Sequence, residues 1–334
     1  LDNAVAAAAV SNAPVNNLSM MVSAERFLFA LGAGGNPRLV QWSDREDNTT
    51  WTAAATNEAG QIELQTAGQI MSGINVRGQS LILTDQDAHS ATYEGPPYVY
   101  NLERVGQSCG VISRKASISM DAGAFWMGQE GFFSYSGGAV QEVPCDVADY
   151  VFGDLNRSQS SLVHAVPMAQ HGEVWWFYPS GASNECDRYV SLDYKEGHWT
   201  FGEIDRTCGV GRGVFKYPLW VDSQGNLWEQ EVGLNYDGAT IFAESGPISI
   251  GAGDQVISVT SMIPDEITQG DVSATFKTRF YPNGPEQSHG PYSMANPTDL
   301  RFTGRQVRMR VEGARLANWR VGTMRLDVTQ GGRR

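Results

Sequence analysis

Hydrolytic or metal chemistry in this chain would have to be assembled from five histidines, four cysteines and 37 acidic residues. His89, His164, His171, His198 and His289 never fall at the spacings that bring two imidazoles onto one metal ion. Each stands in or beside a predicted turn, so they read as ordinary surface histidines. Cys109, Cys145, Cys186 and Cys208 are scattered without C-x-x-C spacing, which argues against a zinc ribbon or a dithiol motif. They read as packed thiols in a reducing compartment. The "GAGG" at 32–35 follows a strand but lacks both the Walker lysine and a helix to receive phosphate. The "SYSGG" at 134–138 does not complete G-x-S-x-G, so no nucleophile elbow follows. No metal, cofactor or catalytic residue is expected.

Carboxylate pairs are the remaining route to catalysis, because a glycosidase needs one acid and one base or nucleophile a few ångströms apart. Asp44, Asp85 and Glu173 are candidates. Nothing in the sequence pairs them, and they read as solvated turn and rim carboxylates. One local constellation is more specific. Ser119, Asp121, Gly123 and Trp126 in "SMDAGAFW" fit the S-x-D-x-G-x-x-W turn known as the Asp box. In that turn the Asp accepts amide hydrogen bonds, the Gly permits the turn and the aromatic packs beneath. It is a structural device. "VDSQGNLW" at 221–228 misses the pattern by one residue inserted between its Asp and Gly.

These residues are held by short runs such as "RFLFAL", "SLILT", "AFWMG", "EVWWFY", "RYVSLDY" and "PLWVD", aromatic or β-branched and bounded by Gly, Asp, Asn or Pro. The chain is therefore expected to be all-β, with tight turns supplied by its 37 glycines and 14 prolines. Gly78, Gly123, Gly172 and Gly225 each stand in a polar turn before a hydrophobic strand, 45, 49 and 53 residues apart. Glu25 and Arg26 before "FLFAL" continue the spacing upstream. A period of roughly 40 to 50 residues holding about four strands is the signature of a β-propeller blade. The spacing predicts a propeller of about five blades over 22–246, with Trp126, Trp176 and Trp228 filling the gaps between blades. Residues 1–21 read as an arm or a broken helix. From Ser249 the strands lengthen and alternate, Val307, Met309 and Val311 against Arg308, Arg310 and Glu312, as strands with one wet face do. Residues 247–334 are expected to form a second β unit, either a sandwich or a sheet.

Charge divides the chain. Net charge is -13, yet residues 301–334 hold nine arginines against Glu312 and Asp327, leaving -20 upstream. Such a body repels phosphates, which disfavours nucleic-acid binding but suits a wall past which DNA slides. Arg301, Arg305, Arg308, Arg310, Arg315, Arg320 and Arg325 form either a solvated basic face or one that docks an acidic partner. The longest purely apolar run, Ala4 to Val10, has seven residues, far short of a membrane span. It lacks the basic flank and cleavage pattern of a signal peptide, and a start at Leu1 suggests a missing upstream segment.

"ERFLFALGAGGNPRLVQWSDREDNTTW" at 25–51 resembles the tail nozzle, or tail tubular B, proteins of short-tailed bacteriophages, in which a strand is followed by a WSD-x-ED-x-x-x-W turn. The likeness continues in order through "GQSLILTDQDAHSATYEGPP", "CGVISRKASISMDAGAFWMGQEGFFSYSGGAVQEVP" and "GRQVRMRVEG...WRVGTMRLDV". The resemblance implies a virion protein assembled in the host cytoplasm. It implies a propeller in each subunit of a homohexameric ring, bound to the head-to-tail adaptor and other tail proteins. Such a ring continues the DNA ejection channel, retains packaged DNA and has no catalytic site. This chain is shorter than complete nozzles. Two other functions fit a propeller: a glycoside hydrolase or depolymerase, and a carbohydrate-binding adhesin.

Overall fold

The computed structural model describes residues 8–234, 240–249, 255–264, 270–294, 297–313 and 319–332. Arg315 lies outside them. Two compact units divide between Glu231 and Val232. The first holds five antiparallel meander sheets in chain order. Blade I is built from Ser19–Val22, Leu28–Leu31, Leu39–Trp42 and Gly60–Glu63. Blade II comprises Ile70–Val76, Gln79–Thr84, Asp87–Gly95 and Val99–Gln107. Blade III comprises Ser117–Met120, Gly123–Met127, Phe132–Tyr135 and Gln141–Val143. Blade IV comprises His164–Met168, Glu173–Tyr178, Arg188–Asp193 and His198–Glu203. Blade V has three strands, Cys208–Val210, Leu219–Val221 and Leu227–Glu229. The first strand of each blade lies beside the first strand of the next. Up-and-down sheets joined along their innermost strands are the architecture of a β-propeller.

The blade boundaries differ from those expected. Ser19–Val22 pairs with Leu28–Leu31 as the inner strand of blade I, so the supposed arm contributes a strand. At the other end, Phe242–Glu244 and Ile248–Ser249 pair with Gln306–Gly313 in the second unit. The turn glycines explain the regular part of the spacing. Gly78, Gly123 and Gly172 each occupy the first hairpin of their blade with positive φ, and Arg26 at φ 70 takes that place in blade I. Gly225 sits instead in the second hairpin of blade V, because the first is opened into the loop 211–218.

Aromatic side chains fill the seams. Between blades I and II, Tyr100 meets Phe27, Phe29 and Trp42 with centroids 4.8–5.4 Å apart. Between blades III and IV, Phe132 meets Trp176 at 5.0 Å and Trp199 at 4.6 Å. Between blades IV and V, Trp220 meets Trp175 and Phe177 at 5.2 and 5.1 Å. Full burial of such a side chain stabilises by about 1.5–3 kcal/mol, so the seams hold the blades in place. Trp126 and Trp176 are wholly buried, as their placement between blades requires. Trp228 does not serve as seam packing: it is 39% exposed and donates its indole N–H to Asp222 within blade V.

The second unit resolves the choice between a sandwich and a sheet. One sheet orders Phe242–Glu244, Gln306–Gly313, Val272–Arg279 and Gln287–Ser293, with Ile248–Ser249 also on Gln306–Gly313. The other orders Thr298–Gly304, Ile257–Ile263 and Arg325–Gln330. Strict alternation along Val272–Arg279 turns Val272, Ala274 and Phe276 into a core shared with Val259 and Phe302. That shared core makes the unit a β-sandwich.

Candidate functional site

The strongest constellation of reactive side chains lies in blade II and was not nominated from the sequence. Asp87 and His89 are both buried, and His89 Nε2 stands 3.1 Å from Asp87 Oδ1. Thr84 and Thr66 donate hydroxyls to the same oxygen at 2.6 and 2.9 Å. Thr84 Oγ1 in turn accepts the amides of Gln86 and Asp87 at 3.0 and 2.8 Å, closing the second hairpin of the blade. Thr66 Oγ1 accepts the amide of Gly68, which anchors the connection from blade I. Burial holds the His89 imidazole below its usual pKa, and the Asp87 carboxylate only partly opposes this. The ring is therefore neutral near pH 7. His89 also lines a cavity of about 320 Å³ with Glu63, Gln65 and Arg104.

The arrangement orients an imidazole, as an acid–base dyad must. However, the carboxylate oxygen already receives both threonine hydroxyls, and those hydroxyls serve backbone amides. The network closes a turn and joins two blades. The signal for it was the "TDQDAH" run at 84–89, whose Thr, Asp and His share a hairpin.

The remaining imidazoles divide by strand position. His164 is also buried, with Nδ1 donating to the Leu162 carbonyl at 3.2 Å and the ring stacked on Phe177. Burial lowers its pKa to about 4. These two correct the expectation of surface histidines: His164 falls on the inward face of an alternating strand, and His89 lies in the stretch 87–91, which is buried on both faces. His171 and His198 are exposed and His289 is half-buried. All four cysteines are free; Cys109 and Cys186 are buried and Cys145 half-buried, whereas Cys208 is exposed instead of packed. Burial pushes the Cys109 and Cys145 thiols up to about 11. Among the described residues no group of three His, Cys, Asp or Glu side chains could hold a metal ion.

The nominated carboxylates serve separate pieces of structure. Asp44 Oδ1 accepts the amides of Arg45 and Glu58 at 2.9 and 2.8 Å, and Asp85 Oδ1 that of Gln69 at 2.9 Å. Glu173 accepts the indole N–H of Trp175 at 2.7 Å. In the Asp-box segment, Asp121 Oδ1 accepts the Ala122 amide at 2.9 Å and the Tyr194 hydroxyl of blade IV at 2.6 Å. Ser119 Oγ reaches the Asn75 carbonyl of blade II at 2.7 Å, and Trp126 Nε1 the Cys109 carbonyl at 2.7 Å. Gly123 is obligatory there, since its φ is +144° and a Cβ would stand 2.4 Å from the Tyr135 carbonyl oxygen. The near-miss turn of blade V has the fuller amide network. Asp222 accepts the Asn226 and Gln224 amides, the Asn226 side chain and the Trp228 indole, which together hold its carboxyl at about 2.

The basic face is smaller than the sequence suggests. Arg308 and Arg310 pair with Glu244 at 2.9 and 3.3 Å, and Arg310 also covers the Phe242 ring at 3.7 Å. Arg305 lies over the Tyr281 ring at 5.6 Å. Arg301, Arg320 and Arg325 are exposed.

No family model matches the chain, and no curated protein matches it. Among solved structures, the N-terminal domain of Nup159 is similar at 8% identity, covering 88% of this chain and 75% of that one, with a TM-score of 0.41. The dihydro-heme d1 dehydrogenase NirN is similar at 9% identity over 86% of this chain and 58% of its own, TM-score 0.37. An exo-β-1,3-galactanase from Phanerochaete chrysosporium is similar at 11% identity over 99% and 98%, TM-score 0.30. Likenesses this distant carry no activity across.

Proposed function

We propose that the chain is a structural ring subunit of a short-tailed phage's tail nozzle, a non-enzymatic block of the DNA ejection channel. The observation that carries this reading is the charge of the propeller unit: residues 1–231 hold 27 acidic against 13 basic side chains, a balance of -14. Glu103, Glu130, Glu142, Glu196 and Glu203 are among those exposed on its surface. A wall of this sign repels phosphates and gives DNA few sites at which to release counterions and stick. The ordered resemblance from residue 25 onward supports the same reading, as does the use of Asp44, Asp85, Asp121 and Asp222 as acceptors of backbone amides. Aromatic seams supply the rigidity that a load-bearing ring requires. No described helix is long and apolar enough to cross a membrane.

Sedimentation velocity and negative-stain electron microscopy test the proposal, on the purified chain alone and with a head-to-tail adaptor. Closed rings of identical subunits, six in number, are the expected outcome. A monomer that stays monomeric beside the adaptor would sink it. Release of reducing sugar from host polysaccharide would replace it with the glycoside hydrolase reading.

A further inference from the structure

The two terminal blades of the propeller unit each leave an apolar strip in water. Neighbouring blades touch along their first strands from Ser19–Val22 through to Cys208–Val210, and among the described residues no comparable contact joins Cys208–Val210 back to Ser19–Val22. The register of blade V shows the consequence. Gly209, Trp220 and Trp228 share one face, and Trp220 packs there against Trp175 and Phe177 of blade IV. Cys208, Val210, Leu219, Val221 and Leu227 share the other, with Glu229 at its outer edge. On that face Val210 is 51% and Leu227 63% exposed, and Cys208 is exposed beside them. Blade I mirrors this. Met21 and Phe29 face blade II, which turns Met20 and Val22 the other way, 45% and 57% exposed. Ala13 and Trp51 pack on their strand partners Ala30 and Leu28, so the exposed strip runs along the innermost strand. Where one blade meets the next such side chains are buried, as Ile70 and Leu81 are on the two faces of blade II. Apolar sheet surface left in water marks an interaction surface.

Charge says which surface fits the open face of blade V. The first connection of that blade, the loop 211–218, carries Arg212 and Lys216 and no carboxylate, with Val214 95% and Phe215 49% exposed between them. In an antiparallel meander the first and third connections emerge at the same end of the sheet. Blade I shows this directly, because Arg26 of its first connection pairs with Glu46 of its third. That end of blade I holds Glu25, Asp44, Glu46, Asp47 and Glu58 against only Arg26 and Arg45. When blade I of a second copy is set on blade V in the way that blade II is set on blade I, the basic loop meets this acidic end and the two apolar strips meet each other.

We infer that copies of this chain associate head to tail, the open face of blade V in one copy packing against Met20 and Val22 of blade I in the next. A contact between two different patches closes into a ring when its rotation closes and otherwise runs on as an open chain. The choice of a second copy as the occupant rests on the ring reading, whereas the two patches stand on their own.

Cross-linking of the full chain tests it, with and without a head-to-tail adaptor. One batch keeps the native Cys208; a second, carrying a mass tag, has Cys208→Ser together with Met20→Cys or Val22→Cys. A bismaleimide is expected to join the two batches into mixed dimers, linked from Cys208 to the new thiol in the peptides read by mass spectrometry. Cys208→Ser in the first batch as well is expected to abolish that product. Val210→Asp puts a charge into the contact and is expected to raise the concentration needed for association, read by sedimentation, about tenfold or more. Arg212→Glu with Lys216→Glu is expected to weaken association in the same direction. Tyr98→Asp, at a position 78% exposed in blade II, is expected to leave it unchanged. Rings in which Cys208 never links to blade I, links between two Cys208 thiols alone, or association untouched by Val210→Asp would each overturn the inference while leaving the ring reading in place. Copies linked from blade V to blade I in open chains would uphold the contact and remove the ring. A chain that stays monomeric even beside the adaptor would overturn both.

Discussion

The indole N–H of Trp176 in blade IV donates to the backbone carbonyl of Ala116, 60 residues earlier and just ahead of blade III, at 2.9 Å. Both groups are buried, and the same indole meets the Phe132 ring at 5.0 Å. One side chain thus fixes the position of a blade through a hydrogen bond and the angle of its seam through ring packing.

Trp176→Phe is therefore expected to cost about 2–4 kcal/mol, from a lost buried hydrogen bond, which leaves the Ala116 carbonyl with the Met127 amide alone at 3.2 Å, together with a cavity where the second ring lay. Equilibrium urea unfolding followed by circular dichroism measures it. A loss under about 1 kcal/mol would mean that the seam repacks freely and that blade position is set elsewhere.

The two glycines that most clearly mark blades differ in why they are glycine. A Cβ on Gly123 would run into the Tyr135 carbonyl, whereas one on Gly78, at φ +78°, would meet nothing within 4 Å. Gly78→Ala should cost about 1 kcal/mol, the price of a left-handed backbone alone, and Gly123→Ala at least about 2 kcal/mol. Denaturation midpoints of the two variants decide it, and equal losses would remove the distinction.

Those turns are also why the fold was legible in the sequence. Positive φ demands particular residues at particular places, so Gly78, Gly123 and Gly172 recorded the first hairpin of three blades. Gly225 looked like a fourth repeat but belongs to another hairpin, because an eight-residue loop at 211–218 shifts the register of blade V. What escaped were pairings between distant strands. Strand alternation identifies the wet face of Gln306–Gly313 but not Glu244, 66 residues from Arg310, which neutralises its arginines. His89 and His164 were misplaced for a related reason: a polar residue in a hairpin region reads as exposed unless its buried partners, here Asp87 and the Leu162 carbonyl, are known.

Those two histidines predict a pH dependence. A folded-state pKa below the unfolded value of 6.5 means that the unfolded chain binds more protons in between, so stability falls as pH drops from 6.5 toward the folded value. For His164, lowered to about 4, the loss across that window is on the order of 3 kcal/mol. Urea midpoints at a series of pH values should decline between pH 6.5 and 4, and His164→Gln should flatten the decline. An unchanged slope in that variant would show that His164 is protonated freely in the folded state. The turn carboxylates Asp47 and Asp222, each held at about 2 by hydrogen bonds, add their loss only below the ordinary carboxyl range, as pH falls from 3.8 toward 2.

Asp222 permits a local measurement. Its carboxylate accepts the amides of Gln224 and Asn226 at 3.0 and 2.8 Å, so Asp222→Ala should accelerate hydrogen exchange at both amides by at least about tenfold. Asp222→Asn retains one acceptor oxygen and should fall between. Unchanged protection in the alanine variant would show that the backbone turn holds by itself.

In the second unit the carboxylate of Glu244 is the common partner of Lys277, Arg308 and Arg310. Burial alone would raise its pKa, but the hydrogen bonds from Lys277 and Arg310 and the charge of Arg308 outweigh it and hold the group below 4.5. Its contribution is present above that value and fades as pH falls through the folded-state pKa. Glu244→Gln leaves Lys277 facing a neutral amide, and Arg308 and Arg310 with only Glu286 and Glu312 as carboxylate partners, and is expected to destabilise the sandwich by about 1–3 kcal/mol. The excess positive charge left there should make that loss shrink as salt is added. Hydrogen exchange at Gln306–Gly313 reads the effect inside this unit, while Leu219–Val221 of blade V serves as an internal control. Faster exchange in the first segment, softened by salt, is the expected result. Equal protection in variant and wild type would mean that the arginines are neutral to stability without their carboxylate, and would return Arg308 and Arg310 to the solvated basic face.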